Sequence, residues 1–234
     1  MSQESFIHVL DQDTINKIAA GEVVERPASV VKELVDNAID AGAQNIRIEL
    51  KNSGKNLISV RDDGKGMSKE DVLLSPIKHA TSKIKEISDL EVVSTMGFRG
   101  EALAAISSVS KFEIITKQKK NTSGTRLYLE GGEQDVTEVG APDGTTVSVF
   151  DLFYNTPARL KYMKTDATEL SHIVGMVSDL ILANPDISFT LINNNKTVLS
   201  SASSDLFNSI VDILGYEAAR YMMEIPSENM RTPL

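Results

Sequence analysis

Apolar and polar positions recur with two different periods along this chain, and the segments with each period predict its helices and strands. Between residues 27 and 41, Val30, Leu34 and Ala38 recur every four residues, which is the repeat of a helix that buries one face. Gly42 follows, and glycine commonly terminates helices. Similar evidence predicts further helices at 13–24, 69–79, 101–109, 166–183 and 205–214.

Strict alternation predicts strands instead. Ile46, Ile48 and Leu50 alternate within 45–51, and the turn-forming residues 52–55 lead into a second strand at 57–61, so the two form a hairpin. Further strands are predicted at 111–117, 125–130, 145–150, 187–192 and 197–199, with a weaker one near Val136. Strands and helices in this mixture predict an α+β domain.

Several local signals mark where elements begin and end. Thr156 and Pro157 form an N-cap and N1 pair. Asp166 and Glu169 have the spacing of a capping box, and the helix that they open ends at Asn184-Pro185. The segment 80–98 has neither period, and an irregular segment of that length inside a domain is usually functional.

Composition narrows the possible functions. The 234 residues can bury a core without cross-links, and the absence of cysteine excludes disulfides, thiolate metal sites and a cysteine nucleophile. The 24 basic and 33 acidic residues give a net charge of −9, the wrong sign for a domain that holds DNA mainly through its own phosphate contacts. No segment approaches the roughly 20 apolar residues of a membrane span. We therefore expect a soluble, cytoplasmic protein without a membrane partner.

Polar side chains on the helix 27–41 form the first candidate site. Glu33, Asn37 and Asp40 fall within about 60° of one another around the helix axis, beside its buried face. An ordinary solvated helix edge would look the same.

Three glycine-containing segments could contact a ligand. Residues 62–67 (DDGKGM) follow a strand, so that Asp62 can accept from a ligand amine while glycine lets the backbone approach closely, although Asp and Gly are also common in turns. Residues 97–101 (GFRGE) open a helix and could face an anion. They have neither the glycine spacing of a Walker A loop nor that of a dinucleotide-binding loop. Residues 144–146 (GTT) are the weakest signal, because threonine is common in strands.

In this order the four segments resemble the nucleotide-binding motifs of the GHKL ATPases, the superfamily of gyrase B, the heat-shock ninety chaperones, sensor histidine kinases and MutL. Longer strings at 18–35, 79–84 (HATSKI), 97–103 (GFRGEAL) and 151–159 (DLFYNTPAR) are similar to the MutL branch, which acts in DNA mismatch repair. The resemblance is dense from residue 8 to about 165. It departs at Asp36, where Glu is usual, and at Asp63, where Asn is common.

The resemblance implies a Bergerat or GHKL ATP-binding fold, a two-layer sandwich of helices on a mixed β-sheet. It implies a GHKL ATPase domain at 1–215 and the start of a truncated following subdomain at 216–234. ATP and Mg²⁺ are the implied ligands. Glu33 would be the catalytic base, Asn37 would bind Mg²⁺, and Asp62 would accept from the adenine amino group with help from Thr145 through a shared water. The remaining nucleotide contacts carried over are Gly66, Thr81, Ser82, Lys83, Gly97, Phe98, Arg99, Gly100 and Glu101.

The resemblance also implies a biological role, that of an ATP-gated dimerising switch coupling mismatch recognition to repair. Its implied partners are a second copy of the chain and a MutS-type mismatch sensor, with nucleoid association in use. In the family a lysine from the following subdomain reaches the γ-phosphate, and DNA contacts lie mainly there. We therefore expect slow hydrolysis by this chain.

Two alternatives stay open. A GHKL chaperone or gyrase-B-like ATPase would share the motifs, whereas a sensor kinase would need a phosphoacceptor helix upstream, and only seven residues precede His8. Outside enzymology, the chain could be a nucleotide-gated interaction module with little turnover.

Overall fold

A computed structural model of the chain describes residues 11–78, 80, 100–202 and 205–222. Eight strands form one sheet. They are β1 (Asn45–Lys51), β2 (Leu57–Asp62), β3 (Lys111–Lys117), β4 (Gly124–Glu130), β5 (Glu133–Val139), β6 (Gly144–Phe150), β7 (Ser188–Asn193) and β8 (Lys196–Ser201).

Eight helices accompany this sheet within the described residues. They are α1 (Gln12–Val23), α2 (Pro27–Asp40), α3 (Lys69–Leu74), α4 (Ala102–Ser108), α5 (Pro157–Tyr162), α6 (Asp166–Ala183), α7 (Leu206–Leu214) and α8 (Tyr216–Ala219). None of them is long and apolar enough to cross a membrane.

The sheet is mixed, with the strand order β5-β4-β3-β6-β2-β1-β7-β8. Neighbouring strands are antiparallel, except that β1 and β7 are parallel. Because β1 and β2 are joined by a short turn, they pair as the predicted hairpin. The α+β class and the two-layer arrangement of helices on a mixed sheet are confirmed.

One face of the sheet is buried under helices, and the other carries polar side chains. In β1, Ile46, Ile48 and Leu50 are buried whereas Arg47 is exposed, because successive side chains of a strand point to opposite faces. On the polar face Arg126 pairs with Glu113 (Nε–Oε2 2.6 Å). The core therefore lies between the helices and a single face of the sheet.

Helix α2 follows its sequence pattern closely. Pro27 occupies its first turn, Val30, Leu34 and Ala38 are buried, and Gly42 adopts a φ of +75° just beyond its end. That conformation is easily reached only by glycine, which explains where the helix stops.

One predicted helix boundary is wrong, and one predicted N-cap makes no side-chain hydrogen bond. Helix α3 ends at Leu74 rather than at residue 79, because Pro76 has no N–H with which to continue the helical hydrogen bonds. At Pro157 the predicted helix begins as expected, but the hydroxyl of Thr156 makes no capping hydrogen bond.

The predicted capping box at Asp166 and Glu169 is also wrong. The N-cap of α6 is Thr165, whose side chain accepts from the backbone N–H of Thr168. Glu169 is buried and its Oε1 accepts instead from the backbone N–H of Lys164 (2.9 Å). The cap lies one residue earlier because Thr165 has the extended backbone that an N-cap requires.

The segment 151–159, singled out by its sequence, links two helices that are distant in the chain. Asn155 Nδ2 donates to the carbonyl oxygen of Ser108 at the end of α4 (2.9 Å). Arg159 Nη2 donates to the carbonyl oxygen of Lys17 in α1 (2.8 Å). Gly21 leaves room for this guanidinium, since a Cβ there would lie 1.9 Å from Nη2.

Replacing Arg159 with alanine should therefore destabilise the fold. A hydrogen bond from a charged donor contributes roughly 1.5–3 kcal/mol, so we expect the free energy of unfolding to fall by about that amount in urea denaturation. Lys161→Ala, an exposed position on the same helix, is the matched control and should change little. Equal urea midpoints for Arg159→Ala and the unmodified chain would contradict the proposed link.

Candidate functional site

Asp62 and Thr145 lie side by side at one end of the sheet. Asp62 ends β2 and pairs with Ile46 of β1 on one side and Thr145 of β6 on the other. Because directly paired residues share a face of the sheet, both side chains lie on the helix-covered face with Ile46. Asp62 is only 7% exposed.

Burial dominates the electrostatics of Asp62. Loss of solvent raises the pKa of its carboxyl to about 6, although hydrogen bonds from the backbone N–H groups of Gly64 and Thr145 act in the opposite direction. The Gly64 N–H lies 2.8 Å from Oδ1. The neighbouring charge of Asp63 contributes a smaller increase. A buried acceptor of this kind suits a ligand that donates hydrogen bonds.

Asp63 has the opposite environment. Its Oδ1 accepts from the backbone N–H groups of Gln44 (2.8 Å) and Asn45 (2.9 Å), and its Oδ2 accepts from Asn45 Nδ2 (2.7 Å). Burial acts to raise the pKa of Asp63, but these hydrogen bonds outweigh it and hold that pKa below its usual value. This departure from the family pattern therefore falls on a carboxylate that fastens β1 to the end of β2.

The end of α2 contacts the loop that follows Asp62. The backbone N–H of Lys65 donates to the carbonyl oxygen of Ala41 (3.0 Å). Gly64 permits this approach, because a Cβ there would lie 2.9 Å from the Ala41 Cβ. The last turn of α2 and the end of β2 thus border the same region.

Glu33 and Asn37 lead away from this contact along α2. The backbone N–H of Ala41 donates to the carbonyl oxygen of Asn37, so Asn37 lies one helical turn before the contact and Glu33 one turn before that. Four residues advance about 6 Å along a helix. Both side chains are half-buried, and an extended ligand starting at Asp62 would meet Asn37 before Glu33.

Asp36, the other departure from the family pattern, has a structural environment. It is 3% exposed, and its Oδ2 lies 2.6 Å from Lys32 Nζ. The hydrogen bond from Lys32 and the charge of Asp36 raise the pKa of Lys32. Asp36 therefore forms an intrahelical ion pair beside the core.

Two glycines are required by packing. Gly144 has a φ of +99°, and a Cβ there would lie 2.2 Å from the carbonyl oxygen of Asp62. Gly66 has a φ of +65°, and a Cβ there would lie 2.3 Å from the carbonyl oxygen of Lys117. Whatever nucleotide contact Gly66 makes, the close approach of its loop to β3 already requires glycine.

Sequence reasoning missed Thr116. This residue near the end of β3 is 1% exposed, and its Oγ1 lies 2.9 Å from Thr145 Oγ1. Its position beside Thr145 depends on the pairing of β3 with β6. Only the Thr-rich ends of these strands hinted at it.

The other residues carried over from the resemblance divide into two groups. Gly100, with a φ of +64°, and Glu101 lie just before α4. The rest lie outside the described residues, and they are Thr81, Ser82, Lys83, Gly97, Phe98 and Arg99.

A polar surface pocket of about 420 Å³ lies farther along the same end of the sheet. Its lining comes from Lys69, from residues 120–125 and from residues 136–138. Thr125 pairs with Thr116 across β4 and β3, so the pocket adjoins the Asp62 region. None of the residues predicted from the motifs lines it.

Comparisons with known proteins decide the family. The family model of the histidine kinase-, DNA gyrase B-, and HSP90-like ATPases matches residues 25–148. The DNA mismatch repair protein MutL of Agathobacter rectalis is 50% identical over 224 residues, covering 95% of this chain and 35% of that protein. MutL of Clostridium tetani is 52% identical over 209 residues, covering 89% and 34%. The Aquifex aeolicus MutL ATPase domain complexed with ADP matches with a TM-score of 0.67 and 33% identity, covering 82% of this chain and 70% of that one. The chain belongs to the MutL branch of this ATPase family.

The MutL assignment confirms the resemblance drawn from the motifs. The family match at 25–148 includes α2, the Asp62 loop and Thr145. The chain spans about a third of the length of these curated MutL proteins. The roles of individual residues remain predictions.

The raised pKa of Asp62 predicts a pH-dependent stability in this MutL chain. The folded state holds the Asp62 proton more tightly than the unfolded chain does, so the folded state loses relative stability as pH rises from about 4 through about 6. The difference between the ordinary pKa of an aspartate and about 6 corresponds to roughly 3 kcal/mol of stability.

Asp62→Asn isolates this effect, because asparagine keeps an oxygen for the Gly64 N–H but does not ionise. In urea denaturation, we expect the stability of the variant relative to the unmodified chain to increase between pH 4 and 6 and to level off above. A difference that stays constant across this range would contradict the assignment.

Proposed function

We propose that this chain binds ATP with Mg²⁺ between the end of α2 and the loop after β2, and hydrolyses it with Glu33 as the general base. The observation that carries the proposal is the contact between Lys65 and Ala41, which brings α2 and Asp62 to the same border. The ADP complex of the Aquifex aeolicus relative supports it.

Asp62 selects the base in this proposal. Its buried carboxylate accepts from the 6-amino group of adenine, and Thr145 assists through a shared water. Guanine presents a carbonyl oxygen at the corresponding position, which cannot donate a hydrogen bond to the Asp62 carboxylate. The glycines at 64 and 144 let Ala41 and the start of β6 pack closely against the backbone around Asp62.

Asn37 supplies a side-chain oxygen for Mg²⁺. Within the described ranges, no three His, Cys, Asp or Glu side chains group to hold a metal ion. That composition fits an ion that keeps several waters and takes few protein ligands, as Mg²⁺ does beside phosphates. When bound, Mg²⁺ neutralises charge that develops on the phosphates.

Glu33 acts two turns from the base-binding end of the site. Its carboxylate orients the attacking water and accepts a proton from it, as a positioned general base does. Its location on α2, one turn beyond Asn37, matches the order of phosphates and base along an extended nucleotide.

In the longer protein, we propose that this module acts as an ATP-gated dimerising switch in mismatch repair. The curated relatives are mismatch repair proteins of bacteria, which supports action in the bacterial cytoplasm at the nucleoid. A second MutL copy and a MutS-type mismatch sensor are the proposed partners. The domain would span 1–215, with 216–234 beginning the next subdomain, and DNA contacts would lie mainly outside this chain.

The catalytic role predicts that Glu33→Ala loses turnover but keeps nucleotide. We expect single-turnover hydrolysis to slow by about 10²- to 10⁴-fold, while the ATP dissociation constant from calorimetry changes little. Glu133→Ala, at an exposed position on β5, is the control. An unchanged rate in Glu33→Ala would falsify the assignment. An unmodified chain that binds ATP without hydrolysing it would instead favour the interaction-module alternative.

The base-binding role predicts that Asp62→Ala weakens ATP binding. A hydrogen bond to a charged acceptor contributes roughly 1.5–3 kcal/mol, so the dissociation constant should rise by about 10- to 150-fold in calorimetry. The role is wrong if the variant binds ATP as tightly as the unmodified chain.

A further inference from the structure

Thr116 has a hydroxyl group that is buried and makes three polar contacts. Its Oγ1 lies 3.0 Å from the backbone nitrogen of Met67, 3.0 Å from the carbonyl oxygen of Gly144, and 2.9 Å from Thr145 Oγ1. Met67 closes the loop after Asp62, and Gly144 and Thr145 open β6. The hydroxyl therefore joins both segments that border Asp62.

Counting protons gives each of these contacts a direction. A threonine hydroxyl has one proton to donate and two lone pairs to accept with. The carbonyl of Gly144 can only accept, and the backbone N–H of Met67 can only donate. All three contacts are hydrogen bonds at once in only one arrangement, in which Thr116 donates to Gly144 and accepts from Met67 and Thr145.

In this arrangement the hydroxyl of Thr145 donates its proton to Thr116. Because that proton points at Thr116, the oxygen of Thr145 presents only lone pairs to a ligand. Asp62, its direct partner across the strands, presents carboxylate oxygens beside it. A water shared by the two side chains would donate to both and would likewise offer its lone pair to the ligand.

We propose that Thr116 is a positioning residue that sets nucleotide specificity by fixing the Thr145 hydroxyl as a hydrogen-bond acceptor. Asp62 and Thr145 then both accept hydrogen bonds, which matches the amino group of adenine and opposes the carbonyl oxygen of guanine. This inference rests on the proposed function, since it concerns the same nucleotide site. It adds a residue that never touches the ligand.

Thr116→Val and Thr116→Ser separate this role from a structural one. Valine keeps the volume and branching of threonine but removes the hydroxyl, so Thr145 becomes able to rotate and donate to a carbonyl oxygen. Serine keeps the hydroxyl and its three partners. We expect the preference for ATP over GTP to fall about tenfold in the valine variant, which corresponds to about 1.4 kcal/mol and lies within the cost of a mismatched hydrogen bond.

The measurement is isothermal titration of each variant with ATP and with GTP, both with Mg²⁺. We expect the serine variant to keep the preference of the unmodified chain. Loss of stability alone would weaken both nucleotides equally and leave their ratio unchanged. An unchanged ratio in Thr116→Val overturns the inference while ATP binding by the unmodified chain still supports the proposed function. If the unmodified chain binds neither nucleotide, the proposed function itself fails.

A second measurement applies to the unmodified chain, so it does not depend on the folding of a variant. Hydroxyl protons held in buried hydrogen bonds exchange slowly enough for detection by NMR. We expect the Thr116 hydroxyl proton to show proximity to Gly144 and the Thr145 hydroxyl proton to show proximity to Thr116. A Thr116 proton directed at Thr145 overturns the inference.

Discussion

The candidate site depends on one backbone hydrogen bond, which joins the N–H of Lys65 to the carbonyl of Ala41. It fastens the last turn of α2 to the loop after β2, and it forms because Gly64 has no side chain to keep the two apart. This hydrogen bond and the packing of α2 against β1 and β2 together hold the stripe of Glu33 and Asn37 at a fixed position relative to the carboxylate of Asp62. The rise of α2 then sets the distance between Asn37 and Glu33 along the helix.

Asp62 and Asp63 are adjacent in the chain but have opposite environments. Asp62 is the last residue of β2 and is buried under the helices, whereas Asp63 lies just beyond the strand and is exposed. Burial leaves Asp62 poorly solvated and suited to a donor on a ligand, whereas Asp63 is saturated by the start of β1. Asp62 therefore remains open to a ligand, whereas the oxygens of Asp63 are used in hydrogen bonds within the fold.

The surrounding structure supports this site from a distance. The segment 151–159 ties α4 to α1 through Asn155 and Arg159, and α1 leads directly into α2. Polar side chains and ion pairs occupy the outer face of the sheet, so the core and the candidate site lie on the helix-covered face. The acidic charge of the chain, −9 overall, fits the proposal that most DNA contacts lie outside this chain.

Local sequence determined the helices, most strands and the motifs, because the period of apolar residues and the positions of glycine and proline act over a few neighbours. α2 and the β1–β2 hairpin follow directly from such patterns. The N-cap of α6 and the end of α3 are also local features, but both were predicted wrongly. Thr165 caps α6 in place of the predicted Asp166, and Pro76 ends α3 before the predicted boundary. The strand register, the parallel pairing of β1 with β7 and the contacts of Thr116 were decided by tertiary structure alone. The contact of Thr116 with Met67 joins residues 49 positions apart. The period of apolar residues carries no information about which distant hydroxyl will hydrogen-bond to which backbone group.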